Sequence, residues 1–139
     1  RRCEGGVRNT LLGTIHYGGE WPHNKYKGGP TEIPPSEDGF HTYTVEWKEG
    51  QIDWFLDGEH YLTLTAKDWS SRSLFGSKPK TAPFDRPFHM ILNVAVGGHL
   101  PESKDEGGVS LDGFPKAMVV DYVRVYQRPD QIGFMPSAE

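Results

Sequence analysis

Apolar and β-branched residues recur at alternate positions in short runs, and almost nowhere at the three-to-four-residue spacing of a helix. Thr10–Tyr17 (TLLGTIHY) reads as a first strand. His41–Trp47 (HTYTVEW) alternates, with His41, Tyr43, Val45 and Trp47 on one side and Thr42, Thr44 and Glu46 on the other. After a turn at Lys48–Gln51 come Ile52–Leu56 and Glu59–Thr65, joined by Asp57-Gly58, the strongest short hairpin signal in the chain. These three runs predict an antiparallel meander, with Trp47 and Trp54 patterned as core. Phe88–Val96 (FHMILNVAV) is the most apolar run and predicts a central strand buried on both faces. Ala117–Tyr126 (AMVVDYVRVY) predicts the last strand.

Between the runs lie Gly- and Pro-rich segments that read as loops: Gly18–Asn24, Gly28–Gly39, Lys67–Pro87 and His99–Pro115. Six strands at this spacing, without repeats or a domain-splitting linker, predict an all-β sandwich. Residues 1–127 form one domain in this reading, and 128–139 a tail.

Composition narrows the chemistry. Gly (17) and Pro (11) make up roughly a fifth of the 139 residues, against a usual share of about 12%. A net charge of −4 argues against binding nucleic acid by phosphate neutralisation. Mean hydropathy is −0.62, and no run of 18 apolar residues is long enough to span a membrane. Aromatics are 12%, four of them Trp, which suits a surface on which sugar rings stack. The single Cys3 can form no internal disulfide. The chain opens Arg1-Arg2-Cys3 rather than with Met, and is expected to be a processed chain or a fragment.

Motif chemistry is sparse. There is no HExxH, CxxC, EF-hand spacing or GxSxG, and the six His are scattered. A hydrolase would then need a carboxylate pair, about 5 Å apart in retaining glycosidases. Asp53 and Asp57 are four residues apart along a strand, roughly twice the spacing of i and i+2 neighbours, and Asp57 is explained by its turn. Three residues stand out against their surroundings. Asn93 interrupts an apolar run and reads equally as an amide bonded to backbone or as one facing a ligand cleft. Asp121, among valines, calls for a cation or backbone donors, with Arg124 or Ca²⁺ as candidates. His16, beside Tyr17 and near Trp21, reads either as a capped strand-end His or as part of a corner lining a cleft mouth.

Four blocks carry a resemblance. They are Gly13-Thr14-Ile15-His16-Tyr17-Gly18-Gly19 with Trp21-Pro22; Phe40-His41-Thr42-Tyr43 to Glu46-Trp47, with Ile52–Trp54 and Asp57-Gly58; Pro83–Gly98; and Phe114-Pro115 with Val120–Tyr126. In this order they resemble the C-terminal part of glycoside hydrolase family 16, laminarinase (endo-β-1,3-glucanase) type. The resemblance implies a concanavalin-like jelly-roll β-sandwich of two antiparallel sheets, incomplete at its N-terminus, with a glycan cleft on the concave face. It implies retaining hydrolysis of β-1,3-glucan by two glutamates in an E-x-D-x-x-E pattern, on a strand before the Gly13–Gly19 block. That pattern does not occur in this sequence, so the chain alone is expected to be inactive. The alternative is a non-catalytic β-1,3-glucan-binding relative.

By resemblance, His16, Tyr17, Trp21 and Asn93 bind substrate, and Asp121 falls where many members hold a structural Ca²⁺. No cofactor is required. The implied partner is β-1,3-glucan, with neither nucleic acid nor membrane, and a second fragment or copy is expected to complete the sandwich. The implied location is extracellular.

Overall fold

The structure, a computed structural model, describes residues 10–34, 39–69, 81–98, 114–115 and 117–129. It is all-β, with two antiparallel sheets and no α-helix among the described residues. Five strands are present: β1 (Thr10–Gly18), β2 (Asn24–Glu32), β3 (Tyr43–Lys48), β4 (Gln51–Leu56) and β5 (Glu59–Thr65). The chain divides into two compact units, one spanning Val7–Arg86 and the other containing Pro87–Glu139. All five strands lie in the first.

β3, β4 and β5 form the expected meander, in that order. Its second turn has both central residues at positive φ, Asp57 at 51° and Gly58 at 84°. That is the type I′ geometry whose twist matches a hairpin, and Asp and Gly are residues that tolerate it. Because Asp57 is turned, its carboxylate replaces its carbonyl in the ladder. Thr42 N–H donates to Asp57 Oδ1 (2.8 Å), and Asp57 N–H donates to Thr42 O (2.9 Å).

The expected loop over Gly28–Gly39 is corrected in part. Residues 24–32 form β2, paired with β1 from Thr10↔Glu32 to Gly18↔Asn24. Its sequence, NKYKGGPTE, has no apolar alternation because nearly every position faces solvent. The partner strand, not side-chain burial, holds it extended. Pro30 is tolerated because β2 is an edge strand.

The two sheets pack through β1 and β4–β5. Ile15, Ile52, Trp54, Leu64 and Trp69 form the buried cluster, with Tyr17, Tyr61, Leu62, Ala66 and Phe84 against it. Glycine makes the approach possible. A Cβ on Gly13 would lie 3.0 Å from Leu62 Cδ2 and from the Tyr61 hydroxyl, and 3.1 Å from Trp54.

Three expectations about burial or strand pairing fail. Trp54 is buried, but Trp47 is 42% exposed, and its neighbours on the same side of β3, Tyr43 and Val45, are 57% exposed. β1 and β2 cover β4 and β5 and leave β3 open, so the alternation of β3 reads correctly while its burial does not. The Trp47 indole N–H is instead satisfied by Phe84 O at 2.9 Å. In the second unit, Phe88–Val96 and Ala117–Tyr126 are not hydrogen-bonded into a sheet among the described residues. Phe88, Ile91, Leu92, Val119 and Val125 are all exposed. Apolar content marks a run that could be buried, whereas a strand also needs neighbours to take its backbone hydrogen bonds. The expected loop over 99–113, the tail beyond 129 and Cys3 lie outside the described residues.

Candidate functional site

Strand alternation decides which sequence candidates can meet. On β1, Gly13 and Ile15 are buried and Tyr17 continues that side, packed against the core cluster. Leu12, Thr14 and His16 take the other side. His16 and Tyr17 are neighbours in sequence but belong to opposite faces, so the hairpin brings His16 together with Tyr26 and not with Tyr17. The His16 and Tyr26 rings pair across the strands, centroids 6.1 Å apart and tilted by 41°.

Trp21 sits in the turn that joins β1 to β2 and is 85% exposed. The turn is closed by His23 N–H donating to Glu20 O at 2.7 Å. Gly18 enters it at φ 98°, where a Cβ would lie 2.9 Å from His23 O, so glycine is required there. Sequence reasoning missed Tyr26 because Lys25–Lys27 falls between two segments read as loops and was assigned to no element. The signal was an aromatic in a segment otherwise made of Lys, Gly and Pro.

In the second unit Asn93 is exposed. Arg124, one proposed partner of Asp121, lies over the Tyr122 ring with its guanidinium carbon 4.2 Å from the centroid. Asp121 is exposed, and among the described residues it makes no hydrogen bond or ion pair. Ca²⁺ takes six to eight oxygen ligands from carboxylates, carbonyls and water. No group of three or more His, Cys, Asp or Glu side chains gathers among the described residues, so these residues alone do not compose such a site.

The carboxylates with displaced pKa values all move in one direction. Lys27 donates to Asp68 Oδ1 at 2.7 Å, and Thr65 N–H and hydroxyl both donate to Asp68 Oδ2. The Lys27 bond and the Thr65 backbone bond lower Asp68 to about 2, and Lys27 is raised in return. His41 Nδ1, 2.7 Å from Asp57 Oδ2, and Thr42 N–H lower Asp57.

Asp53 is 6% exposed. Burial pushes its carboxyl up, but hydrogen bonds from Thr63 and Gln51, with the charges of Lys48 and His60, outweigh this and hold it below the usual range. A bulge in β5 builds this cluster. Trp54 pairs with Leu62 but Phe55 with His60, so His60 and Thr63 share a face although three residues apart. His60 Nε2 meets Thr63 Oγ1 at 2.8 Å, and the Thr63 hydroxyl donates to Asp53 at 2.5 Å. A general acid needs a raised carboxyl pKa, and these three carboxyls are held as anions instead. They brace the fold.

Comparison with known proteins gives the family. The family described as "Beta-glucan synthesis-associated protein SKN1/KRE6/Sbg1" matches residues 29–137. The chain is 36% identical over 128 residues, 90% of its length, to glucan endo-1,3-beta-glucosidase A1 of Niallia circulans, and covers 18% of that protein. It is 38% identical over 126 residues, 86% of its length, to a beta-glucanase of Rhodothermus marinus, of which it covers 36%. A beta-1,3-glucan-binding protein of Penaeus monodon is 32% identical over 98 residues, 61% of this chain and 27% of that protein. The chain thus spans well under half of the length of these relatives. No solved structure matches it. With its all-β fold and these matches, the chain belongs to the SKN1/KRE6/Sbg1 beta-glucan synthesis-associated family and to the laminarinase-like branch of glycoside hydrolase family 16.

Proposed function

We propose that this chain is a portion of a retaining, laminarinase-like endo-β-1,3-glucanase, and that the β1–β2 hairpin is part of its β-glucan-binding surface. The observation that carries this is the exposed Trp21 at the end of a hairpin whose outer face also presents His16, in a chain whose relatives are named glucanases. An aromatic ring at 85% exposure contributes nothing to the core and offers a flat apolar face to a sugar ring. Tyr17 supports the surface from beneath. Asn93, exposed in the second unit, is proposed as a further glucan contact.

The catalytic step of such an enzyme needs two carboxyl groups, one kept protonated and one ionised. The E-x-D-x-x-E pattern does not occur in the sequence, and the carboxyls of Asp53, Asp57 and Asp68 are held as anions. Glucan binding without hydrolysis is therefore expected of the 139-residue chain. This also sustains a second reading, a non-catalytic glucan-binding protein, which the Penaeus monodon relative favours. An extracellular location, and a second fragment or copy that completes the sandwich, belong to the same proposal. No helix among the described residues is long and apolar enough to cross a membrane.

A reducing-sugar assay on laminarin, with this chain and with any longer chain its gene encodes, separates the readings. Hydrolysis by the longer chain alone supports the glucanase. Laminarin pull-down without hydrolysis by either supports the binding protein. Failure of both binding and hydrolysis overturns the β-glucan reading. Ca²⁺ held by Asp121 is a separate proposal, with its other oxygens supplied from outside the described residues. A Ca²⁺-dependent rise in melting temperature that Asp121→Asn abolishes would support it, and indifference to Ca²⁺ would sink it.

A further inference from the structure

We propose that the corner where residues 65–69 meet residues 81–85 binds an ordered internal water, which accepts a hydrogen bond from the Trp69 indole N–H and donates one to Asp85 Oδ1. The site stands apart from the β-glucan reading and does not depend on it.

Two turns build the corner. In the first, the Asp68 N–H donates to Thr65 O at 2.7 Å, and Trp69 follows directly. In the second, the Phe84 N–H donates to Thr81 O at 3.1 Å, and Asp85 follows directly. They meet over the turn between β3 and β4, where a Cβ on Gly50 would lie 3.7 Å from Ala66 Cβ and 3.7 Å from Thr81 Cγ2. The Phe84 ring makes a T-shaped contact with Trp69, centroids 5.0 Å apart and planes at 82°.

The corner is apolar and closed. Trp69 is 4% exposed and Ala82 7%. Yet the Trp69 indole N–H and Asp85 Oδ1 are both buried and make no hydrogen bond among the described residues. Trp47 shows the ordinary arrangement, its indole N–H donating to Phe84 O at 2.9 Å. A buried donor or acceptor left without a partner costs more than a made bond contributes. Two such groups beside the same Phe84 therefore call for a shared partner.

Chemistry selects that partner. The indole N–H only donates and the carboxylate oxygen accepts, so the partner must accept once and donate once. A metal cation cannot accept from an N–H, and an anion would be repelled by Asp85. Water does both, and internal waters bridge two to four polar groups in this way. Bridged so, Trp69 and Asp85 are cross-linked although far apart in sequence, and the link steadies the turn whose carbonyl holds Trp47. An N–H donated into the Phe84 ring face would satisfy Trp69 alone and leave Asp85 unlinked, which is the rival arrangement.

The test uses water-selective NOE and ROE spectra of the 139-residue chain, read at the Trp69 indole N–H and assigned by its NOEs to the Phe84 ring. Denaturant unfolding of Trp69→Phe, Asp85→Ala, their double variant and Asp85→Asn follows. The expected spectra show a water cross-peak of opposite sign in the two experiments, the mark of a bound water rather than of proton exchange. Asp85→Asn keeps an acceptor and should retain that peak. The double variant should be about tenfold more stable than the product of the single effects, because the second substitution removes a partner already lost. Absence of the bound-water peak in the wild-type chain overturns the proposal, and so does a double variant whose loss is the full product of the single losses.

Discussion

Single residues in this chain divide into those that hold the fold and those that are free to meet a ligand. Asp53 belongs to the first group. Its carboxylate accepts from Gln51 Nε2 and from the Thr63 hydroxyl, while Lys48 and His60 stand 3.7 Å away. Thr63→Val removes a donor to a buried anion and is expected to cost about 1–2 kcal/mol, read as a lower denaturant midpoint at neutral pH. The difference should shrink below about pH 4, where the unfolded chain binds its protons and the carboxylate no longer rewards folding. Trp21 belongs to the second group. Trp21→Ala is expected to leave the thermal midpoint unchanged, because the ring is outside the core, and to weaken laminarin binding in a pull-down. A loss of stability without a loss of binding would reverse that assignment. Of the sequence candidates, His16 and Trp21 are both exposed, whereas the sequence left open whether His16 caps its strand end or lines a cleft mouth. Tyr17 was not separable from His16 until the alternation of β1 was anchored by buried Gly13 and Ile15.

At the scale of elements, local chemistry was legible wherever a turn or an alternation enforced it. Asp57-Gly58 and the three strands around it follow from two residues that accept positive φ and from a period of two. β2 was hidden because its pairing is imposed by β1 and leaves no trace in hydrophobicity. Its dependence on glycine is the sharper signature. Gly28→Ala would place a carbon 2.1 Å from the backbone oxygen of Gly13, and backbone cannot step aside as a side chain can. The expected outcome is a lost or severely destabilised hairpin, seen as a large fall in melting temperature, whereas Gly39→Ala, with nothing within 4 Å, costs only its strained φ of 77°. Equal melting temperatures for the two variants would show that β1 and β2 are not paired in this register.

For the whole molecule, the balance of charge and of exposed apolar surface sets how the chain behaves in solution. Asp53, Asp57 and Asp68 all have lowered pKa values, Asp68 at about 2. Lowered folded-state values give stability that is complete above the ordinary carboxylate range and lost as pH falls toward 2, so acid unfolding is expected between about pH 4 and 2. Asp68→Asn should unfold at a higher pH than wild type, with the Lys27 bridge gone. Against this stands an exposed apolar load. Ile91, Val94 and Val96 in one run, Val119 and Val125 in another, and Tyr43 and Val45 on β3 are each more than half exposed. Isolated apolar residues on a surface are ordinary, but contiguous exposed runs of them template association. The chain is therefore expected to self-associate or to bind a complementary fragment, with a melting temperature that rises with protein concentration as binding to the folded state requires. Sedimentation velocity across a hundredfold range of concentration, beside melts at the same concentrations, reads both. A monodisperse monomer with a sharp, concentration-independent two-state melt would show that the exposed runs need no partner and would remove the case for a second fragment or copy.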